Sequence, residues 1–301
     1  MRIFIFLLIG GACVLMSNSC STCSRQHKIE NITIDLSDLA VDSGYINLAQ
    51  KVFYALPTPI ELSVLIKNSG IDYQADLLND PANASRYLTS RKMALNFGVF
   101  VTDLTYSGLF DQSQKVLYYK EAILKLLDGM GLRSTIDVNV MRQLEENIED
   151  RDAVLRIISD TYASCTASLN EDDRYFLTLS MLVGGWIEGM YIAVGAAGKN
   201  QESIEERVIQ LVIDQKFTFE MLWQIMSDLE NIPEVADLKN ELTGLARWFE
   251  QIEIHQTPNE VSVTFDGITS IASSSVHNVT PEAFSIIKGQ IQSLRKNITK
   301  I

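Results

Sequence analysis

The chain has 301 residues, of which 47% are apolar, and its formal net charge is −13 at pH 7. This share of apolar residues is enough for a substantial core and excludes disorder over most of the chain. An acidic surface repels phosphate backbones, which argues against nucleic acid as a partner. The four cysteines are too few for a disulfide framework, so packing must hold the core together.

The N-terminus carries a short apolar run that ends near a cysteine. Arg2 precedes the apolar residues 3–16, and Ser17-Asn18-Ser19 leads to Cys20. About 14 apolar residues are too few for a helix that spans a bilayer, but they fit the apolar region of an export signal. The pattern resembles a bacterial lipoprotein signal, which implies that residues 1–19 are removed and that Cys20 is lipidated. Cys13 is the competing lipid site, although apolar residues follow it where a mature N-terminus is polar.

Lipidation of Cys20 implies a protein held on a membrane by its acyl chains. Ser21, the polar residue after the cysteine, resembles signals for outer-membrane delivery, so we expect an outer-membrane protein that faces the periplasm. Residues 20–44 show little helical periodicity and are predicted to form a flexible tether. Residues 45–301 are predicted to form a single helical domain.

Apolar residues recur at helical spacing through most of this domain. Thr58 and Pro59 are typical of an N-cap and a first helical residue, and Gly129 with Gly131 predicts a helix end. The predicted helices cover residues 48–56, 60–66, 84–110, 112–130, 138–147, a stretch from 150, 172–198, 201–214, 217–230, 233–253 and a final stretch from Thr280.

One segment near the C-terminus follows a different period. Val261–Phe265 alternates with period two and is followed by the turn-forming pair Asp266-Gly267, which predicts a small strand or hairpin. The predicted fold class is therefore all-α, a multi-helix bundle or array with one small strand patch near the C-terminus.

The most apolar segment is Phe176–Ala197, whose single charge is Glu188. Its length fits a membrane span, but a central glutamate is costly in lipid and the flanking charges show no orienting bias. We therefore predict a central helix buried in protein. Small residues four apart predict a groove for a neighbouring helix, for which Ala94 and Gly98 mark the partner. The residues of this stripe are Gly185, Gly189, Ala193 and Ala197.

Two of the predicted central helices carry an acid three residues before a tyrosine. These pairs are Asp103 with Tyr106 and Glu188 with Tyr191, and at this spacing each pair shares a helix face. If the helices pack together, the pairs converge on a pocket for a small polar or cationic ligand. The alternative is a satisfied polar network that fixes the register of the helices.

A rival interpretation makes the two acids catalytic. A hydrolytic or carbohydrate-processing enzyme would use Asp103 and Glu188 as its two carboxylates, at a separation of about 5 to 9.5 Å in an open cleft. The sequence contains no motif for a nucleophile, so an enzyme is the less favoured class.

No residue pattern predicts a cofactor or a metal site. The three histidines, His27, His255 and His277, do not pair at the spacing of metal ligands. Cys165 is expected to be a buried free thiol, with a bridge to Cys23 as the alternative.

The stretch Asn96–Tyr106, with the pattern N-x-G-x-x-x-x-D-L-x-Y, resembles a stretch in a family of exported, all-helical bacterial lipoproteins of unassigned function. Phe53–Glu61 is similar to the same group. The resemblance implies a helical fold and supplies no activity. We therefore expect a membrane-anchored helical module that binds a small polar ligand or assembles with a partner protein. A scaffold whose acidic faces bind a partner is the further alternative.

Overall fold

The computed structural model describes residues 59–171, 174–197, 202–256, 260–263, 269–272 and 275–301, and these residues lie mainly in helices. All of them belong to one unit that runs from Ala40 to Ile301. The predictions for the signal over 1–19, lipidated Cys20, the tether over 20–44 and the helix over 48–56 lie outside the described residues. The same holds for Cys13, Cys23, His27 and Thr58.

The described chain is all-α, as the sequence predicts, and its helices follow one another through short connections. The helices are α1 (Pro59–Asn68), α2 (Ser90–Leu109), α3 (Ser113–Gly129), α4 (Val138–Glu146), α5 (Arg151–Glu171), α6 (Tyr175–Ala197), α7 (Glu202–Asp228), α8 (Pro233–Glu241), α9 (Thr243–Glu250) and α10 (Pro281–Thr299). Three-residue-per-turn (3₁₀) segments lie at Ala75–Leu77, Pro81–Arg86 and Arg133–Thr135.

Short extended segments lie between α9 and α10. They are β1 (Ile254–Gln256), β2 (Glu260–Val263), β3 (Thr269–Ala272) and β4 (Ser275–His277). β1 pairs with β4 and β2 pairs with β3, both antiparallel, and Val261 lies opposite Ile271. The period-two stretch Val261–Phe265 overlaps β2, and its last two residues lie outside the described chain.

Helix caps explain where several helices begin and end. Asp137 accepts a hydrogen bond from the Asn139 N–H at 2.8 Å and starts α4, while Thr280 accepts one from the Ala283 N–H at 3.2 Å and starts α10. Gly131 has φ of +74°, the left-handed conformation that closes α3. These three termini match the signals in the sequence.

Three predicted boundaries were wrong. The predicted helix over 84–110 starts later, because Thr89 caps α2 by accepting a hydrogen bond from the Lys92 N–H at 3.2 Å. The two helices predicted over 201–214 and 217–230 form one continuous helix, α7. The helix predicted over 233–253 divides at Leu242, whose N–H bonds to the Lys239 carbonyl three residues earlier instead of four.

α6 is the centre of the bundle and contacts α1, α2, α5, α7, α8 and α10. Among the described helices, it is the one long and apolar enough to cross a membrane, over Tyr175–Ala196. Of its most apolar window, 94% is buried inside the protein, which confirms the prediction of a helix packed against protein.

α2 and α6 approach so closely that their backbones touch. A Cβ atom added to Gly98 would lie 2.0 Å from the Met181 carbonyl oxygen, and one added to Gly184 would lie 1.9 Å from the Leu95 carbonyl oxygen. Side chains cannot occupy such gaps, so only glycine permits this contact. The predicted role of Gly98 at the partner face is confirmed.

The predicted stripe of small residues on α6 serves two neighbours instead of one. A Cβ atom on Gly189 would lie 2.3 Å from Cδ2 of Leu62, so Gly189 receives α1. Gly185 does face α2, because its carbonyl oxygen lies 3.1 Å from Thr102 Oγ1. The closest approach to α2 comes from Gly184, which the spacing of four does not include. α1 and α2 pack on adjacent sides of α6. Because an α-helix has 3.6 residues per turn, the small residues of α6 are divided between the two faces that these neighbours contact.

We expect Gly184→Ala to lower the free energy of unfolding by about 1 to 3 kcal/mol or more, because its Cβ would overlap the Leu95 backbone. The matched control is Gly289→Ala in α10, where nothing lies within 4 Å of the added Cβ. Helix propensity should make that change stabilising by about 0.5 to 1 kcal/mol. Urea unfolding followed by circular dichroism measures both, and equal effects would contradict the close contact of α2 with α6.

Candidate functional site

The structure brings Asp103 of α2 and Glu188 of α6 together in the core. Both side chains are fully buried, and their carboxyl groups lie close enough to interact through a shared proton. Arg295 of α10 donates from Nε to Oε2 of Glu188 at 2.9 Å and from Nη2 to Oε1 at 3.0 Å. This two-point contact fixes the orientation of both side chains and ties α10 to α6.

Arg295 is held by more than its contact with Glu188. Its Nη2 also donates to the Leu77 carbonyl oxygen at 3.2 Å, and its guanidinium lies 4.6 Å from the centre of the Tyr191 ring. Burial lowers the pKa of the Arg295 guanidinium, but the charge and hydrogen bonds of Glu188, together with Asp103 and Tyr191, outweigh burial and raise the pKa. Arg295 therefore remains a cation, and Tyr191 gives it a cation–π contact.

Two acids thus face one cation, and the cluster is neutral only if one acid carries a proton. Both oxygens of Glu188 accept from Arg295. Oδ2 of Asp103 accepts from the Asn79 N–H at 3.1 Å, whereas Oδ1 receives no hydrogen bond from a donor group of the described chain. A proton on Oδ1 of Asp103, donated to Glu188, satisfies this atom.

The electrostatics place that proton on Asp103. Burial first, and then the charge of Glu188, raise the pKa of Asp103 well above its usual range, while Arg295 and the Asn79 N–H oppose the shift. Burial also raises the pKa of Glu188, but there the adjacent guanidinium of Arg295 counteracts it directly. The cluster is therefore a neutral acid, a carboxylate and a guanidinium with no net charge.

The backbone of Asn79 connects this cluster to the surface of the protein. Its N–H donates to Asp103, and its carbonyl oxygen accepts from the Tyr119 hydroxyl of α3 at 3.0 Å. Asn79 directly precedes Asp80 and the 3₁₀ segment Pro81–Arg86. Because both backbone groups of Asn79 are held by the core, the start of this surface segment is fixed in place.

The side chain of Asn79 is held equally well. Its Nδ2 donates to the Tyr87 hydroxyl at 3.1 Å and lies 3.4 Å from Oδ1 of Asn96, while its Oδ1 accepts from Asn83 at 3.1 Å. Asn96 in turn donates to the Ile298 carbonyl oxygen of α10 at 3.0 Å. A continuous polar network therefore joins α2, α6, α10 and the surface segment.

Tyr106 lies outside this network. Its hydroxyl donates to the Asp72 carbonyl oxygen and accepts from the Gln74 N–H, both at 3.1 Å. Its ring stacks on Tyr73 at 5.2 Å, and burial raises its pKa to about 12. Of the four residues predicted to share a site, the structure thus brings together Asp103, Glu188 and, through Arg295, Tyr191, but not the Tyr106 hydroxyl.

The sequence interpretation missed Arg295 and Asn79. Arg295 lies near the C-terminal end of α10, where an exposed cation suits the helix dipole, yet it continues the row of buried Ile287 and Ile291 at steps of four. A charged residue at a position where the period demands an apolar one is a signal for a buried partner. Asn79 lies in a loop, where no period predicts which side chains are buried.

The described residues offer no metal site and no reactive thiol. No group of three or more histidine, cysteine, aspartate or glutamate side chains in the described ranges could hold an ion. Cys165 is free and buried, as predicted, and burial raises the pKa of its thiol to about 12. The thiol is therefore protonated at neutral pH and a poor nucleophile.

No protein-family model, curated protein or solved structure matches this chain. The resemblance of Asn96–Tyr106 to exported helical lipoproteins therefore stays a prediction.

Proposed function

We propose that the chain is a membrane-anchored helical module that faces the periplasm and binds or assembles with a partner. In this proposal Asp103, Glu188 and Arg295 support the binding body and do not touch the ligand. The observation that carries the proposal is the cluster itself: both acids are fully buried, both oxygens of Glu188 are bonded to Arg295, and Asp103 fixes Asn79 at the base of a surface segment.

The same observation disfavours the rival hydrolase. Two catalytic carboxyl groups must both reach the substrate and water, in a cleft that leaves about 5 to 9.5 Å between them. Asp103 and Glu188 have 0% exposed surface, and both oxygens of Glu188 are bonded to Arg295. A substrate could reach them only if α2, α6 and α10 separated.

Anchoring through Cys20 supplies the location in this proposal. One acyl chain binds a membrane only weakly and reversibly, so stable anchoring requires more than one chain on the cysteine. The anchored body would then present its surface to the periplasm from the outer membrane.

Cys20→Ala is expected to move the protein from the membrane fraction to the soluble fraction. Quantitative fractionation of cells measures the shift, and Cys13→Ala is the matched control because it removes the competing cysteine of the signal. Retention of Cys20→Ala in the membrane, or release of Cys13→Ala instead, would contradict anchoring at Cys20.

The binding function is tested by cross-linking the full-length protein in intact cells. We expect wild type to form discrete cross-linked complexes, and Asp103→Asn to form the same set, because Asp103 supports the fold without contacting a partner. Absence of any complex from wild type would contradict a binding module. Loss of the complexes in a folded Asp103→Asn protein would instead place the ligand at the acids.

A further inference from the structure

A groove on the surface of the protein runs between the segment Asp80–Ser85 and α3. Its volume is about 490 Å³, within the range of ligand sites in proteins. Lys115, Tyr118 and Lys125 line it from α3, and Pro81 and Ala84 are among the small residues of the opposite wall. That wall begins at Asp80, directly after Asn79, which the buried network holds in place.

The acidic side chains that line the groove are already engaged. Glu121 pairs with Lys120 at 2.7 Å, and Lys120 also pairs with Glu145, while Asp80 accepts a hydrogen bond from the Ala82 N–H at 2.9 Å. Within the described part of the chain, neither Lys115 nor Lys125 has an ion-pair partner. The groove therefore offers two lysines without an ion-pair partner among the described residues, beside the carboxylates of Asp80 and Glu121, on a protein whose net charge is −13.

The spacing of the two lysines defines the shape of an occupant. They lie ten positions apart on one helix, which corresponds to about 15 Å along the axis of α3. Tyr118 lies between them on the same side of the helix, and 52% of its surface is exposed. An extended occupant with two anionic groups about 15 Å apart and an apolar group between them matches this spacing.

An extended peptide meets this requirement. Four steps of a β-strand cover about 14 Å, and side chains two positions apart point to the same side. Acidic side chains at the first and fifth positions would then meet Lys115 and Lys125, while an apolar side chain at the third position would lie near Tyr118.

We propose that this groove binds an extended segment of a partner protein with acidic side chains four positions apart and an apolar side chain midway. The proposal rests on the binding function above and names the surface that performs it. The overall negative charge of the protein opposes an acidic partner only weakly, because charges beyond about 8 Å are largely screened at physiological ionic strength. The core-held wall lowers the ordering cost of binding.

The test uses the full-length protein in detergent and a fluorescent, end-blocked pentapeptide. The peptide has glutamate at its first and fifth positions, leucine at its third and alanine between them. Fluorescence anisotropy measures its affinity for wild type and for the double variant Lys115→Glu/Lys125→Glu. Reversing both charges should weaken binding by about tenfold or more, and added salt should weaken binding to wild type.

The matched control is Arg156→Glu/Lys288→Glu, which changes the net charge equally on α5 and α10. We expect its affinity to stay within about twofold of wild type, since the charges lie outside the groove. Equal weakening in both double variants, or no binding to wild type, would overturn the proposal. Binding of polygalacturonate through the same lysines, without binding of the peptide, would overturn it in favour of an acidic glycan.

The experiments distinguish an error in the groove proposal from an error in the proposed binding function. If Lys115→Glu/Lys125→Glu keeps every cross-linked complex of wild type in cells, the groove proposal is wrong and the module stands. If wild type forms no complexes at all, the module itself is wrong.

Discussion

Arg295→Met is expected to lower the free energy of unfolding by about 3 to 5 kcal/mol, because it leaves the carboxylate of Glu188 buried without a counter-ion. Methionine keeps most of the apolar stem of arginine, so the loss reports on the charge and its hydrogen bonds. Urea unfolding of the full-length protein at neutral pH measures the change. The control is Lys296→Met, an exposed neighbour in α10 whose replacement should change stability by less than about 0.5 kcal/mol.

A second substitution distinguishes the ion pair from simple packing. Arg295→Met combined with Glu188→Met removes both charges, and apolar replacement of a whole buried pair is often close to neutral. We therefore expect the double variant to recover most of the stability that Arg295→Met loses. Strictly additive losses would show that the two side chains do not depend on each other.

The stability of wild type is expected to fall as the pH rises above about 4, and Asp103→Asn is expected to remove most of this dependence. Burial raises the pKa of Asp103 in the folded protein above its unfolded value of about 3.9. The folded state therefore holds a proton that the unfolded state releases. The resulting stabilisation is complete below about pH 4 and is lost as the pH rises through the folded-state pKa, by about 1.4 kcal/mol per pH unit.

Asparagine suits this test because its amide replaces the shared proton with a permanent donor. Its Nδ2 can donate to Glu188, and its Oδ1 can still accept from the Asn79 N–H. Urea unfolding at a series of pH values measures the slope for each protein. Asp160→Asn, at an exposed acid of α5, is the control and should keep the slope of wild type. Parallel profiles for wild type and Asp103→Asn would contradict a proton on Asp103.

The helical fold was predictable because its signals are local. Helical periodicity marks the elements, and caps such as Asp137 and Thr280 mark their starts. The contact between Asp103 and Glu188 was also predictable, since Gly98 indicates a close helix contact about 1.4 turns before Asp103. The geometry of this contact depends on which face of α6 packs against α1 and which against α2. The spacing of the small residues alone does not determine these faces.

The rest of the cluster depends on contacts between distant parts of the chain. Arg295 reaches Glu188 only because α10 packs on α6, and the sequence separation of 107 residues leaves no local trace of this contact. The sequence does not indicate whether the Tyr106 hydroxyl bonds within its own helix or to another segment. In the structure this hydroxyl donates to the Asp72 carbonyl oxygen. Loop residue Asn79 is fixed by tertiary hydrogen bonds, which periodicity does not encode.

The buried network and the surface groove are parts of one arrangement. The N–H of buried Asn79 donates to Asp103, and the next residue, Asp80, is the first residue of the groove wall. Loss of Arg295 should therefore loosen the wall as well as the core. A weaker affinity of the pentapeptide for Arg295→Met, under conditions where that variant is still folded, would reveal the connection.

The protonation state of Asp103 is the most direct test of the structural role assigned to the acids. An infrared difference spectrum between full-length wild type and Asp103→Asn at neutral pH reports on this one carboxyl group. We predict that wild type shows the carbonyl band of a protonated carboxylic acid and that the variant lacks it. Carboxylate bands in place of that carbonyl band would mean that Asp103 is charged, which would contradict a neutral, self-satisfied cluster.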